Sequence, residues 1–237
     1  RVHWTQVDSR DSTKTYKLMT LAKLQSSAPG FDFRRFLADS GIAFDEVVVS
    51  QPSAIAGIAR LIQATPLQVL KDQLLVRSLS SYGAVLPKRI DDKVFAFYGT
   101  ALSGTPQQEA RWKRGVNFVT GALSDDVSKI YVERFYPPET KAAMDALVAN
   151  VVAAMGRRID GLTWMKPETE ARARAKLANF TTKIGYPERW QDYSTLEIRG
   201  DDAFGNARRA IAWGRADNLS KLGQPIRRWE WGMTPMT

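Results

Sequence analysis

The hydrophobic residues of this chain recur at helical spacing, most clearly after residues 136–139, which read Tyr-Pro-Pro-Glu. Proline favours the first turn of a helix, because the amide that it lacks has no helical partner there. One apolar face then continues over Met144, Leu147, Val148, Val151, Val152, Met155, Ile159 and Leu162. At 1.5 Å per residue the pattern predicts a helix roughly 35 Å long, which needs packing partners along that face.

Two more helix starts are predicted where a threonine precedes a proline. Residues 65–68 read Thr-Pro-Leu-Gln and residues 105–108 read Thr-Pro-Gln-Gln. Each offers a Thr N-cap, Pro at the first helical position and a Gln that could close a capping box. Apolar residues three and four apart follow both starts; they are Leu67, Leu70, Leu74, Leu75, Leu79 and Tyr82 after the first, and Trp112, Val116, Val119 and Leu123 after the second.

The remaining pattern adds helices and little sheet. Helices are predicted after residues 166–168, which read Lys-Pro-Glu, and after the Asp201-Asp202 pair. Residues 45–49, Asp-Glu-Val-Val-Val, predict a short strand, and residues 182–185 a possible second one. The aromatic passage 186–199 reads as a loop. The predicted fold class is therefore mainly α, a multi-helix assembly with minor short β-strands.

Composition places the chain among ordinary globular proteins and leaves its compartment open. Its 237 residues are 44% hydrophobic and 25% charged, which suits one or two lobes. The absence of cysteine excludes a disulfide scaffold. No apolar run approaches the roughly 20 residues that are needed to cross a bilayer.

The formal charge of +9 raises the question of nucleic acid or an anionic membrane as a partner. The basic residues are dispersed and partly interleaved with acidic ones; their clusters are Arg111, Lys113 and Arg114, then Arg157 and Arg158, then Arg172, Arg174 and Lys176. No aromatic and basic recognition motif accompanies them. We interpret them as solvated helix faces and expect no nucleic-acid partner.

Local catalytic chemistry is sparse in this sequence. It lacks the phosphate-binding glycine loops and the nucleophile elbow, and its one histidine, His3, lies near the N-terminus, where chains are usually mobile. A zinc site of His and Cys ligands therefore cannot be assembled from this sequence.

Three pairs of neighbouring carboxylates each lie where a helix is predicted to begin, so we interpret them as capping groups. The pairs are Asp91-Asp92, Asp125-Asp126 and Asp201-Asp202. The seven tryptophans are spread over separate elements, which favours packing anchors over a stacking surface.

Several blocks of residues carry a family resemblance. In chain order they are 16–22 (Tyr-Lys-Leu-Met-Thr-Leu-Ala), 96–100 (Ala-Phe-Tyr-Gly-Thr), 111–114 (Arg-Trp-Lys-Arg), 130–141 (Ile-Tyr-Val-Glu-Arg-Phe-Tyr-Pro-Pro-Glu-Thr-Lys), 162–165 (Leu-Thr-Trp-Met), 183–187 (Lys-Ile-Gly-Tyr-Pro) and 230–237 (Glu-Trp-Gly-Met-Thr-Pro-Met-Thr). Their order and spacing resemble the neprilysin and endothelin-converting-enzyme family of zinc metallopeptidases, its bacterial oligopeptidases in particular.

The resemblance implies a two-lobed, mainly helical peptidase around a large cavity, of which this chain would be one part. It implies that residues 1–50 are a connecting segment with short helices and a strand, that 51–222 form the helical covering lobe, and that 223–237 lead into the catalytic zinc lobe. A His-Glu-x-x-His helix is expected after Thr237, with its glutamate as base for the zinc-bound water. Within this chain the resemblance implies no catalytic and no metal-binding residue, and it leaves the substrate-binding residues unassigned.

The function that the resemblance implies is that of the parent polypeptide, a zinc metalloendopeptidase that hydrolyses peptide bonds in oligopeptides. The chain alone is expected to be inactive and without zinc, and its partner would be the catalytic lobe of the same polypeptide. A periplasmic or secreted location goes with the resemblance. The alternative is a stand-alone basic helical binding module without catalytic activity. Exposed apolar surface around Trp229, Trp231 and Met233 is expected if a covering lobe is lacking.

Overall fold

The computed structural model describes residues 4–235, which form two compact units. Unit 1 comprises the residues up to Pro106 together with Arg215–Leu222, and unit 2 comprises Gln107–Gly214 and the residues from Gly223 onward. The predicted class, mainly α with minor strands, is confirmed. His3 and the last two residues of the block 230–237 lie outside the described residues. The predicted division of the chain into a connecting segment (1–50), a covering lobe (51–222) and a segment that leads into the zinc lobe (223–237) stays a prediction.

Unit 1 begins with short helices around a two-stranded sheet. These elements are α1 (Gln6–Arg10), α2 (Ser12–Thr15), β1 (Lys17–Thr20), α3 (Leu21–Ser27), α4 (Phe33–Asp39) and β2 (Glu46–Val49). The strands pair antiparallel, with Lys17 opposite Val49 and Thr20 opposite Glu46. β2 is the strand predicted at residues 45–49. β1 carries no comparable signal, because Leu18 and Met19 are its only apolar residues.

The rest of unit 1 is helical. Its elements are α5 (Pro52–Ala64), α6 (Leu67–Ser81), a 3₁₀ turn (Gly83–Val85), α7 (Lys88–Val94) and a π-helix (Phe95–Leu102). α6 confirms the helix predicted after residues 65–68, but the predicted capping is wrong. Thr65 ends α5, and its hydroxyl donates to the Leu61 carbonyl at 2.6 Å. Gln68 donates to Asp72 at 2.8 Å, so neither side chain serves the start of α6.

The helix start predicted at residues 105–108 is also wrong. The next helix begins only at Arg111, and its cap position is Ala110. Gly104 turns the chain at φ +68°, a conformation that glycine adopts without strain. The Thr105 amide then donates back to the Gly99 carbonyl at 2.9 Å. The Thr105 main chain therefore closes the end of the π-helix, and the next helix begins six residues later.

Unit 2 is built from helices and an ordered loop. Its helices are α8 (Arg111–Ala122), α9 (Ser124–Phe135), α10 (Pro138–Asp160), α11 (Pro167–Ala178) and the part of α12 (Ala203–Ser220) that ends at Gly214. α10, α11 and α12 confirm the helices predicted after residues 136–139, 166–168 and 201–202. α8 packs against α9, and α10 packs against α11.

The possible strand at residues 182–185 is wrong. These residues carry no regular secondary structure, and no other strand pairs with them in the described part of the chain. A strand requires a partner for its main-chain groups, and the partner of β2 is β1. The loop predicted over 186–199 is confirmed as irregular structure.

Few large apolar side chains are buried in either unit. Among the described residues, the buried hydrophobic ones are Leu24, Ala28, Val49, Ala54, Ala59, Ile159 and Ala207. α10 shows the pattern most clearly: Ile159 is buried, whereas Leu147, Val151 and Met155 on its predicted apolar face are each more than half exposed. The face that the sequence marks for packing is largely uncovered.

Candidate functional site

No metal centre is found in the described residues. Residues 4–235 contain no group of three or more His, Cys, Asp or Glu side chains that could hold a metal ion. None of the described helices has the length and hydropathy that a membrane span requires. Two surfaces of the described residues are candidates for function: a groove in unit 2 and the uncovered apolar faces of both units.

The capping interpretation holds for Asp202, which precedes α12. Its carboxylate accepts the Gly205 amide at 2.8 Å, and Arg209 donates to its other oxygen at 3.1 Å. The Gly205 amide, followed by the Arg209 guanidinium, holds the pKa of this carboxyl below its ordinary value. Asp202 is thus a structural carboxylate at a helix start.

Two other carboxylates make no capping hydrogen bond, although Asp125 lies in the first turn of α9, where the helix dipole favours a negative charge. Asp92 pairs with Lys88 one turn earlier on α7, at 2.6 Å. Asp125 accepts the main-chain amide of Gln191 at 2.7 Å, which ties the start of α9 to the aromatic loop. A contact over 66 residues of chain leaves no local sequence signal.

The segment 184–187, Ile-Gly-Tyr-Pro, turns sharply beside α9 and α10. Gly185 lies at φ +70°, and a Cβ there would come within 2.9 Å of the Tyr136 ring. The turn places Tyr186 edge-on to Tyr136, with 5.8 Å between ring centroids, and stacked on Trp190 at 6.0 Å with 9° between ring planes. Glycine is therefore required here both for backbone conformation and for space.

The aromatic loop continues to α12. Tyr193 lies 4.8 Å from Trp213, measured between ring centroids, and the Trp213 indole donates to Thr195 at 3.0 Å. Burial raises the pKa of the Tyr193 hydroxyl. The packing role predicted for tryptophan is seen at Trp190 and Trp213. It fails for Trp112 and Trp164, which are 69% and 74% exposed because no element of unit 2 covers them.

The C-terminal segment runs back along unit 2. The buried Ser128 hydroxyl on α9 donates to the Pro235 carbonyl at 3.1 Å. Lys183 donates to the Glu230 carbonyl, and the Arg189 guanidinium lies 4.3 Å from the Trp229 ring centroid. These contacts hold Trp229 and Glu230 against the segment 183–189, and Pro235 against α9.

A groove of about 780 Å³ lies between these segments and α10. Its apolar and aromatic wall comprises Val148, Val152, Phe180, Tyr186, Trp229 and Trp231. The charged residues that line it are Lys141, Lys183, Arg189 and Arg228 against Asp145 and Glu188. Lys141 is paired with Asp145 at 3.2 Å, so the remaining charges leave the groove basic. Sequence reasoning did not identify this groove, because its walls come from three separate parts of the chain.

The uncovered apolar faces form the second candidate surface. α6, α8 and α11 have no buried residue. In the C-terminal segment Met233 is 61% exposed, while Trp229 and Trp231 are half-buried. The expectation of exposed apolar surface around these three residues is therefore confirmed for Met233 and met only in part by the two tryptophans.

The accessible surface of the chain measures this exposure. It amounts to 17,680 Å² for 26.5 kDa. A compact protein of this mass exposes about 10,700 Å², and two separate bodies of half the mass expose about 12,900 Å² together. The area of the chain exceeds both values.

Comparison with known proteins gives a consistent result. The family model described as Peptidase family M13 matches residues 1–187. Neprilysin-2 of Drosophila melanogaster is 27% identical over 97% of the chain, and the neutral endopeptidase of Lactobacillus helveticus is 26% identical over 94%. The chain spans about a third of the length of these relatives, 33% and 35% respectively.

Solved structures agree with this. The zinc metalloprotease Zmp1 of Mycobacterium tuberculosis, in its open state, matches all of the chain with a TM-score of 0.86 and 39% identity, over 37% of its own length. PepO of Lactobacillus rhamnosis matches 99% of the chain with a TM-score of 0.84, over 37% of its own length. Because PepO is only 21% identical, it supports the fold alone.

Proposed function

Because the chain belongs to peptidase family M13, we propose that it is a helical, non-catalytic part of a zinc metallopeptidase. In this proposal another part of the parent polypeptide supplies the zinc lobe, and the parent hydrolyses peptide bonds in oligopeptides. Zinc in the parent would polarise the peptide carbonyl and activate water. The residues of this chain would cover the reaction zone without touching the metal.

The uncovered apolar surface is the observation that carries the proposal. The chain exposes several thousand Å² more than a compact protein of its mass, and whole helices such as α6 and α8 bury no residue. Exposed apolar faces of this extent mark a surface that another body covers. Relatives about three times as long offer such a body within one polypeptide.

The role we propose for the chain is that of a lid. A helical lobe over the cavity would admit oligopeptides and hold back folded proteins, and it would keep bulk water from the reaction zone. The resemblance to this family also favours a periplasmic or secreted site of action for the parent, which we include in the proposal.

The alternative function is that of a stand-alone basic binding module. The charge of +9 favours it, and it predicts a self-sufficient fold that binds anionic partners without zinc. Sequence-blind association with DNA or RNA at about 150 mM salt is expected to be weak, because dispersed cations contact phosphates without reading bases.

A cleavage assay tests the proposed function. The parent polypeptide, extended beyond Thr237, is expected to cleave a quenched fluorescent oligopeptide and to lose that activity with a chelator. Residues 1–237 alone are expected to show neither cleavage nor stoichiometric zinc in elemental analysis, because their one histidine and lack of cysteine leave no strong ligand set.

The matched control is the parent with Gln in place of the glutamate of its expected His-Glu-x-x-His helix. Loss of the general base is expected to lower turnover by orders of magnitude while zinc stays bound. A parent sequence without such a helix, or one tightly bound zinc in residues 1–237, would contradict the proposal and leave the binding module.

A further inference from the structure

We propose that the groove of unit 2 binds an extended acidic peptide segment that also carries apolar side chains. The site is built by α10, residues 180–189 and residues 228–231, and it lies entirely within this chain. Binding there would require neither zinc nor cleavage. The site is thus a docking site in addition to the proposed peptidase function.

Free main-chain groups along one wall favour a peptide as the occupant. Thr181, Thr182 and Lys183 are exposed and irregular, and they line the groove. Their amide and carbonyl groups make no main-chain hydrogen bond within residues 4–235. An extended peptide can pair with such groups as an added strand, as in β-augmentation. A phosphate ester or a lipid headgroup has no matching row of alternating donors and acceptors.

The charges of the groove select an acidic segment. Arg189 and Arg228 are exposed, and in the described part of the chain neither has a carboxylate partner at salt-bridge distance. The Arg189 guanidinium lies over the Trp229 ring, 4.3 Å from its centroid, a cation–π contact that uses none of its N–H donors. Glu188 on the same wall opposes only part of this charge. The guanidinium groups of Arg189 and Arg228 can each donate two parallel hydrogen bonds, an arrangement that favours carboxylates as acceptors.

The wall between the cations favours apolar side chains. Val148 and Val152 on α10 line the groove together with Tyr186, Trp229 and Trp231. In an extended peptide, neighbouring side chains point to opposite sides. A segment with alternating acidic and apolar residues can therefore present carboxylates to the arginines and apolar groups to the aromatic wall.

Fluorescence polarisation with labelled peptides tests the proposal. The probe is an eight-residue peptide of alternating Glu and Val with one Val replaced by Phe. Two matched peptides serve as controls. One carries Gln in place of every Glu, and the other keeps Glu but has N-methyl groups on alternate main-chain amides. The titration is done at about 150 mM salt, near physiological ionic strength. The Glu peptide is expected to bind residues 1–237 about tenfold more tightly than either matched peptide. The Gln peptide lacks the charge-assisted hydrogen bonds to arginine, and the N-methylated peptide lacks the main-chain hydrogen bonds.

Variants assign the binding to the groove. The double variant Arg189→Gln and Arg228→Gln is expected to weaken Glu-peptide binding roughly tenfold. The control is Arg172→Gln with Lys176→Gln, which removes the same charge from the exposed side of α11 and is expected to change the affinity less than twofold. If the double variant loses its circular dichroism spectrum, Arg228→Gln alone, expected to weaken binding about threefold, decides the matter.

Three results of the peptide experiments, and one with lipid vesicles, would overturn the proposal. They are equal affinity for the Glu and Gln peptides, unchanged affinity in a correctly folded groove variant, and displacement of the peptide by millimolar inorganic phosphate as effectively as by unlabelled peptide. The last would show a simple anion site. Binding of phosphatidylserine vesicles through the same arginines, with no binding of the peptide, would assign the groove to a membrane surface instead.

Discussion

Gly185 is the residue on which the aromatic wall of the groove depends. Its φ of +70° lies in the left-handed region, and the Tyr136 ring occupies the space of a side chain. The backbone conformation and the nearby Tyr136 ring both act on position 185, so any residue other than glycine would be strained there.

We predict that Gly185→Ala lowers the free energy of unfolding by about 2–3 kcal/mol, since a left-handed alanine costs about 1–2 kcal/mol and the clash with Tyr136 adds to it. Urea denaturation measures the change. Gly200→Ala is the control, because nothing lies within 4 Å of a Cβ at that position. Equal effects of the two substitutions would show that the turn is not constrained as described.

Asp125 connects two segments that lie far apart in the chain. We predict that Asp125→Ala destabilises the chain by about 1–2 kcal/mol, because it leaves the Gln191 amide without its carboxylate acceptor in a half-buried position. Asp125→Asn retains an acceptor oxygen and is expected to recover part of the loss. Asp126→Ala, at the exposed neighbour, is expected to cost a few tenths of a kcal/mol from the helix dipole alone. A larger effect at Asp126 than at Asp125 would restore the capping interpretation.

At the scale of elements, α10 has one buried end and a long uncovered face. Ile159 is 9% exposed, whereas Val151 is 58% exposed on the same helix. We predict that Ile159→Ala costs about 2–4 kcal/mol in urea denaturation of residues 1–237 and that Val151→Ala costs less than about 0.5 kcal/mol. Similar costs for both would show that the face is already packed in the isolated chain.

The elements differ in how far the sequence determines them. α10 and α11 were predictable because proline begins each and small or apolar residues repeat along them. The start of α8 was not, because Thr105 forms its hydrogen bond with Gly99 in the preceding π-helix. β1 was missed because a four-residue strand is stabilised by its partner more than by its own side chains.

The groove shows the limit of sequence reasoning most plainly. Lys141, Lys183 and Trp229 come from segments more than forty residues apart, and no spacing rule brings them together. The block 183–187 could be recognised from its residues, but the reason for its glycine became visible only beside Tyr136. Family resemblance could indicate the class of protein, whereas the contacts of the groove required the structure.

At the scale of the whole molecule, exposed apolar surface is the dominant property. Large hydrophobic side chains that would normally be buried remain open to solvent on α6, α8 and α10 and in the C-terminal segment. Soluble monomers rarely expose contiguous apolar patches beyond a few hundred Å². In the proposed function another part of the parent polypeptide covers these faces, whereas a self-sufficient module would cover them itself.

The most direct test of this account compares residues 1–237 with the parent polypeptide in dye binding and sedimentation. The isolated chain is expected to enhance the fluorescence of an apolar dye and to self-associate as its concentration rises, because its apolar faces lack a cover. The parent is expected to remain monodisperse and to bind much less dye per mole. If residues 1–237 form a monodisperse monomer that binds no dye, the central claim is contradicted and the chain is a self-sufficient binding module.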